Sequence, residues 1–216
     1  PAQADMRAAK HPQVPPPELP SEPTPLPFVI TPQQASSALS SFQTGTAPGP
    51  SSMRASHFKN AIFDAAPARR EQCLNTMTQV LNLLAAGKVP KEVAPFICGA
   101  NLFAAHKKDG GHRPIAVGET LRRWVSKCLA TAAIAETAPY LDPLQLGVGV
   151  KGGCEAIIHA MASIFESEST PLDSKWILQV DFDNAFNSID RETLMKEVRQ
   201  HVPQLSAWVE FCYATR

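Results

Sequence analysis

Two carboxylates close an apolar run at Asp181 and Asp183, within WILQVDFDNAFNSID over residues 176–190. Carboxylates at this spacing can offer hard oxygen ligands to a divalent cation, or can accept hydrogen bonds from nearby backbone amides as turn residues. A calcium loop is excluded. Asp181, Asp183 and Glu192 stand at its first, third and twelfth positions, but the fifth is Ala185 and the sixth is Phe186, where the sharp turn requires glycine. The second group with chemistry is basic: His106, Lys107 and Lys108, then Asp109, Gly110 and Gly111, then Arg113. A lysine and an arginine on the two arms of a glycine turn can grip a polyphosphate, one as a point charge and the other through its guanidinium fork. The same residues would also serve as a solvated hairpin tip.

These side chains need elements to hold them. Trp176, Ile177, Leu178 and Val180 predict a short buried strand that delivers Asp181 to its open end. A helix follows, with Asp190 as N-cap, Glu192 in the first turn and Ile189 placed to staple onto Leu194. Upstream, apolar residues from Ile97 to Ala105 predict one strand, and Arg113, Pro114, Ile115 and Val117 a second, which makes a hairpin with a basic rim. The next helix, Glu119 to Thr137, carries Arg122, Arg123 and Lys127 on adjoining faces. Residues 106–127 hold six Lys and Arg against Asp109 and Glu119, a local positive excess suited to tracking phosphates.

The remaining segments read as supporting helices. Thr31 caps the first, Ala47 to Ser52 break the chain, and Met53 to Ile62 continue it. From Pro67 to Ala86, Cys73, Met77, Val80, Leu81 and Leu84 fall at helical spacing and predict core packing, with Gly87 as the cap. After Gly147, Gly149, Gly152 and Gly153, a helix from Cys154 is expected to bury Ile157, Ile158, Met161 and Ile164. Arg191 to His201 and Gln204 onward predict two more.

Composition bounds the function. The 216 residues are 44% hydrophobic, enough for a real core, and the formal net charge is zero, so any nucleic-acid contact must come from local patches. Five cysteines without a Cys-x-x-Cys pair argue against zinc and disulfides and for a reducing compartment. No apolar run is long enough for a membrane span, and no signal-peptide core precedes the domain, so an intracellular, nuclear or cytoplasmic protein is expected. Residues 1–27, crowded with proline from Pro15 to Pro27, read as an extended, disordered linker, and the folded part is expected to begin near Phe28.

Residues 176–190 resemble the first palm motif of reverse transcriptases, a strand-borne Asp followed four and five residues later by Ala and an aromatic, here Asp181, Ala185 and Phe186. KKDGGHRPIAV, residues 107–117, resembles the fingers hairpin of that family, and QLGVGVKGGCEAIIHAM resembles its next block, which lies along template and primer. GTAPGPSSM resembles the Gly-Pro-Asp-Gly turn that opens the fingers of non-LTR retrotransposon polymerases, with Ser51 and Ser52 in place of Asp and Gly. The resemblance covers about residues 45–216. It implies an α+β fold, mostly helical with a β-hairpin and a palm strand: fingers over 28–170 and the start of a palm over 171–216.

In function it implies an RNA-directed DNA polymerase acting on an RNA template, a DNA primer and dNTP, with no membrane. Asp181 would be catalytic and, with the Phe182 backbone carbonyl, would hold two Mg2+ ions in the complete enzyme. Asp183, Asn184, Ala185 and Phe186 would lie beneath the nucleotide, with the Phe186 ring as the steric gate under the sugar. Arg113 and Lys107, or Lys108 in the alternate register, would hold its phosphates. Lys108, Arg122, Arg123, Lys127, Gln145, Gly147 and Gly149 would follow the nucleic acid. The family's later aromatic-x-Asp-Asp hairpin does not occur in these 216 residues, so a truncated and, by itself, inactive fragment is expected. The alternative is a noncatalytic nucleic-acid- or protein-binding remnant of such a polymerase.

Overall fold

Thr31 starts the first helix, α1 (Pro32–Ser40), through a reciprocal cap: its hydroxyl accepts from the Gln34 N–H at 3.2 Å, and the Gln34 side chain accepts from the Thr31 N–H at 2.8 Å. The computed structural model describes residues 14–106, 108, 110, 112–167, 171–182, 185 and 187–214. After α1 come α2 (Ala55–Phe63), α3 (Pro67–Ala85) and the short α4 (Ala94–Cys98). Strands β1 (Ala100–His106) and β2 (His112–Gly118) pair antiparallel as a two-stranded sheet. The helices α5 (Thr120–Leu141), α6 (Gly153–Glu166), α7 (Arg191–His201) and α8 (Ser206–Tyr213) complete the chain. The fold is α+β, mostly helical, with one antiparallel hairpin among the described residues. None of the described helices is long and apolar enough to cross a membrane.

The core forms where α5 meets α1, α3 and α8. Trp124, Val125, Cys128 and Leu129 of α5 are buried against Ala35, Leu39, Leu81, Leu84 and Trp208. Burying each large side chain stabilises the fold by about 1.5–3 kcal/mol. The polar tips of the tryptophans find partners: Trp124 Nε1 donates to the Ala35 carbonyl at 2.8 Å and Trp208 Nε1 to Ser126 Oγ at 3.1 Å. Burial pushes the Cys128 thiol up to about 11. Asn82 on α3 clasps the segment before α1, accepting from the Ile30 N–H at 2.8 Å and donating to the Ile30 carbonyl at 2.9 Å.

Five expectations are corrected. Ile97 belongs to α4, not to the strand, because Pro95 suits the first turn of a helix and the strand begins only after Gly99. Helix α5 runs on through Pro139 to Leu141, although the Pro139 nitrogen has no hydrogen to donate to the carbonyl one turn back. Residues 176–180 form no strand. They lie outside the β1–β2 sheet, with Trp176 90% and Leu178 88% exposed, because no other strand among the described residues offers the ladder that a buried strand needs. Helix α6 forms as predicted, yet Ile157, Ile158, Met161 and Ile164 stay exposed, for want of a facing apolar surface. Val80 of α3 is also exposed, while Leu81 and Leu84 on the neighbouring stripe are buried.

Candidate functional site

The hairpin is built by its register. Ala105 faces Arg113 and His106 faces His112 at the open end, while Phe103 faces Ile115 two pairs further in than Arg113. Directly opposed residues share a face, so Arg113 stands beside the Phe103–Ile115 pair, and all three are exposed. Lys108 is exposed in the turn, and Gly110 takes φ +82°, a left-handed conformation that glycine supplies cheaply. Lys107 lies outside the described residues. The tip thus combines cations with an uncovered apolar face, a surface that can hold an anionic group and pack a ring or sugar beside it.

The basic residues of α5 are differently placed. Arg122 donates from Nη1 to the Cys98 carbonyl at 2.8 Å, and its guanidinium sits 5.5 Å from the Tyr213 ring centroid. Arg123 donates to the Ala47 carbonyl at 2.6 Å and, with Lys127, flanks the Phe42 ring at 5.7 and 5.1 Å. Burial holds the Arg123 guanidinium below its ordinary value, and the charge of Glu119 acts against that. Lys127 donates to Ser41 Oγ at 3.0 Å and remains exposed. The two arginines therefore bind the protein's own backbone, and Lys127 keeps the freest charge of the three.

A residue that the sequence did not single out ties these pieces together. Glu119, the buried N-cap residue of α5, accepts from both the N–H and the hydroxyl of Ser51 at 2.6 Å. Gly49 packs on the backbone of Glu119 so closely that an added Cβ would lie 2.6 Å from its Cα. Thr120 donates to the Met53 carbonyl. Ser52 takes φ +62°, and it stands where the resembled turn has glycine. The Gly-Pro turn at residues 49–52 is thereby locked to the base of the hairpin. Its only signal in the sequence was an acidic residue just before a helix, which reads as an ordinary first-turn carboxylate.

The acidic turn lies elsewhere in the chain. Asp181, Phe182 and Ala185 are exposed, while Asp183, Asn184 and Phe186 lie outside the described residues. Asp190 caps α7 as expected, its carboxylate accepting from the Thr193 N–H at 2.7 Å, and that bond holds its carboxyl below the ordinary value. No cluster of three His, Cys, Asp or Glu that could hold a metal occurs among the described residues. Asp181 and the Phe182 carbonyl supply two hard oxygens, too few to fix an ion pair by themselves. Gln145 turns back to accept from the Gly147 N–H, and Gly149 takes φ +71°. No protein-family model, no curated protein and no solved structure matches this chain.

Two thiols distant in sequence also meet. Cys98, at the end of α4, donates to the Phe211 carbonyl at 3.8 Å and is hydrogen-bonded with Cys212. That bond, aided by the nearby Arg122 charge, draws the Cys98 thiol below its ordinary value, while the same contact and burial push Cys212 up.

Proposed function

We propose that the chain is part of an RNA-directed DNA polymerase of the non-LTR retrotransposon type, and that its hairpin tip meets the phosphates of an incoming nucleotide. The observation that carries this reading is the antiparallel pairing of Ala100–His106 with His112–Gly118, which leaves Lys108 and Arg113 exposed around a glycine turn. The positive φ of Ser52 supports it, since the turn keeps the backbone shape of a glycine motif without the glycine. In this reading Arg113 and Lys107 hold the triphosphate, Asp181 and the Phe182 carbonyl contribute oxygens to Mg2+, and Phe186 excludes a 2′-hydroxyl by clash. The ions, when bound, would polarise the phosphate and the primer hydroxyl. The chain's own share is to place the nucleotide between the hairpin and the acidic turn, with Lys108, Lys127 and the loop at Gln145, Gly147 and Gly149 along the template and primer.

The bonds of Arg122 and Arg123 to the Cys98 and Ala47 carbonyls favour a second reading, a remnant that binds a partner without catalysis. One experiment separates the two. Binding of the 216-residue chain to an RNA template primed with DNA is followed by fluorescence anisotropy as salt is raised. A polymerase surface gives affinity that falls steeply with salt, and Lys127→Ala reduces the slope of log K against log salt by about one. A salt-independent signal, or a slope indifferent to Lys127, would sink the polymerase reading. In a chain that also bears the second carboxylate strand, Asp181→Asn abolishes synthesis, whereas Phe186→Val admits ribonucleotides.

A further inference from the structure

The first described residues run along α7 and α8 without helix or strand, yet they are held at specific atoms. Arg199 of α7 donates from Nε to Glu210 Oε1 at 2.6 Å, and both side chains are only 11% exposed. Its Nη1 reaches out of that pair to the Glu22 carbonyl at 2.9 Å and more distantly to the Pro23 carbonyl at 3.5 Å. The other oxygen of Glu210 accepts from the Thr24 hydroxyl at 3.3 Å. One ion pair thus contacts three successive residues. Further along, the Phe28 N–H donates to the Gln204 carbonyl at 3.4 Å, which ties the segment to the turn between α7 and α8.

Beneath this segment lies a cavity of about 300 Å3, floored by Ala86, Val89, Ala94, Ala207 and Phe211 and bordered on its outer side by Leu19. In the other direction, Val14 to Glu18 continue across the start of α7, where they line a second groove with Asn187 to Glu192. An extended proline-rich chain leaves its carbonyls unbonded, and its prolines have already surrendered part of the freedom that binding would remove. A guanidinium largely withdrawn from water needs acceptors for the donors its carboxylate partner does not use. The two requirements are complementary.

We propose that the groove between the end of α3 and α8, closed by the Arg199–Glu210 pair, is a binding site for an extended proline-rich segment whose resident occupant is residues 19–24 of the same chain. Arg199 reads the carbonyls, Glu210 reads the Thr24 hydroxyl, and the half-exposed Leu19 lines the same cavity as the apolar floor. A proline-rich peptide of another molecule meets the same donors only when the resident segment leaves. This site is independent of the polymerase reading and involves neither nucleotide nor nucleic acid.

A glutamate-specific protease tests it on the full chain, because the Glu18–Leu19 bond is cleavable while Glu22–Pro23 is protected by the following proline. The expected result is cleavage at Glu18 about tenfold slower than in a free peptide of residues 14–27, since cutting must await local release. Arg199→Ala restores most of the peptide's rate. Thr24→Val lies on the segment itself and cannot unfold the helices, and it quickens cleavage about twofold to threefold. Glu155→Gln on α6 leaves the rate unchanged. Excess free peptide carrying Glu18→Gln accelerates cleavage of the resident segment by competition. A wild-type rate equal to the peptide's, or protection that survives both Arg199→Ala and Thr24→Val with the helical circular-dichroism signal intact, would overturn the proposal. So would protection that grows with protein concentration, which would place the segment on a second copy instead.

Discussion

Helices α5 and α6 are both rich in apolar residues, yet one is the centre of the core and the other leaves its aliphatic side chains in solvent. Trp124, Val125 and Leu129 of α5 are enclosed because α1, α3 and α8 bring matching surfaces to them. Ile158 and Ile164 of α6 are 65% and 59% exposed, and the extended stretch that holds Trp176, Leu178 and Phe182 is equally uncovered. The contrast lies in the partners, not in the sequences. Apolar periodicity states that a face gains by being covered, while burial depends on what the rest of the fold presents to it.

Substitutions should expose this difference directly. The largest effect is expected at Trp124→Ala, which removes a fully buried ring and its bond to the Ala35 carbonyl and should cost about 3–5 kcal/mol in urea unfolding. Trp176→Ala removes the same side-chain type and should stay within about 0.5 kcal/mol of wild type. Similar losses at the two tryptophans would mean that residues 176–182 are covered in solution.

An intermediate effect is expected at the base of the hairpin. Glu119→Ala strands the Ser51 N–H and hydroxyl and should cost about 1–3 kcal/mol, whereas Arg113→Ala at the tip should leave the unfolding midpoint unchanged. A destabilised Arg113→Ala would show that the tip packs against something and is not a free binding surface.

The smallest effect is a pH dependence. Asp190 is held below its ordinary value chiefly by the Thr193 N–H, so its contribution is present above the unfolded value near about 4 and is lost as pH falls through the lower folded value. Helicity of the wild-type chain should fall below about pH 4 more steeply than that of Asp190→Ala. Identical acid profiles would remove the cap from any role in stability.

The elements that the sequence identified are those decided within a few residues. Thr31 and Gln34 make a cap across one helical turn, Asp190 does the same with Thr193, and β1 pairs with β2 across a turn in which Gly110 takes a positive φ. Arg113 was legible as a tip residue for the same reason, because hairpin register follows from the turn. The uncovered state of α6 and of residues 176–180 was not legible, since it depends on surfaces elsewhere in the fold. Nor was the use made of each basic side chain. Arg122 and Arg123 read in the linear chain as part of a phosphate-tracking patch and Arg199 drew no reading, and only tertiary packing aims them at the carbonyls of Cys98, Ala47 and Glu22. The burial of Glu119 and the meeting of Cys98 with Cys212 belong to the same class. Residue type and spacing set which bonds a side chain can make, and the long-range approach of backbone segments chooses among them.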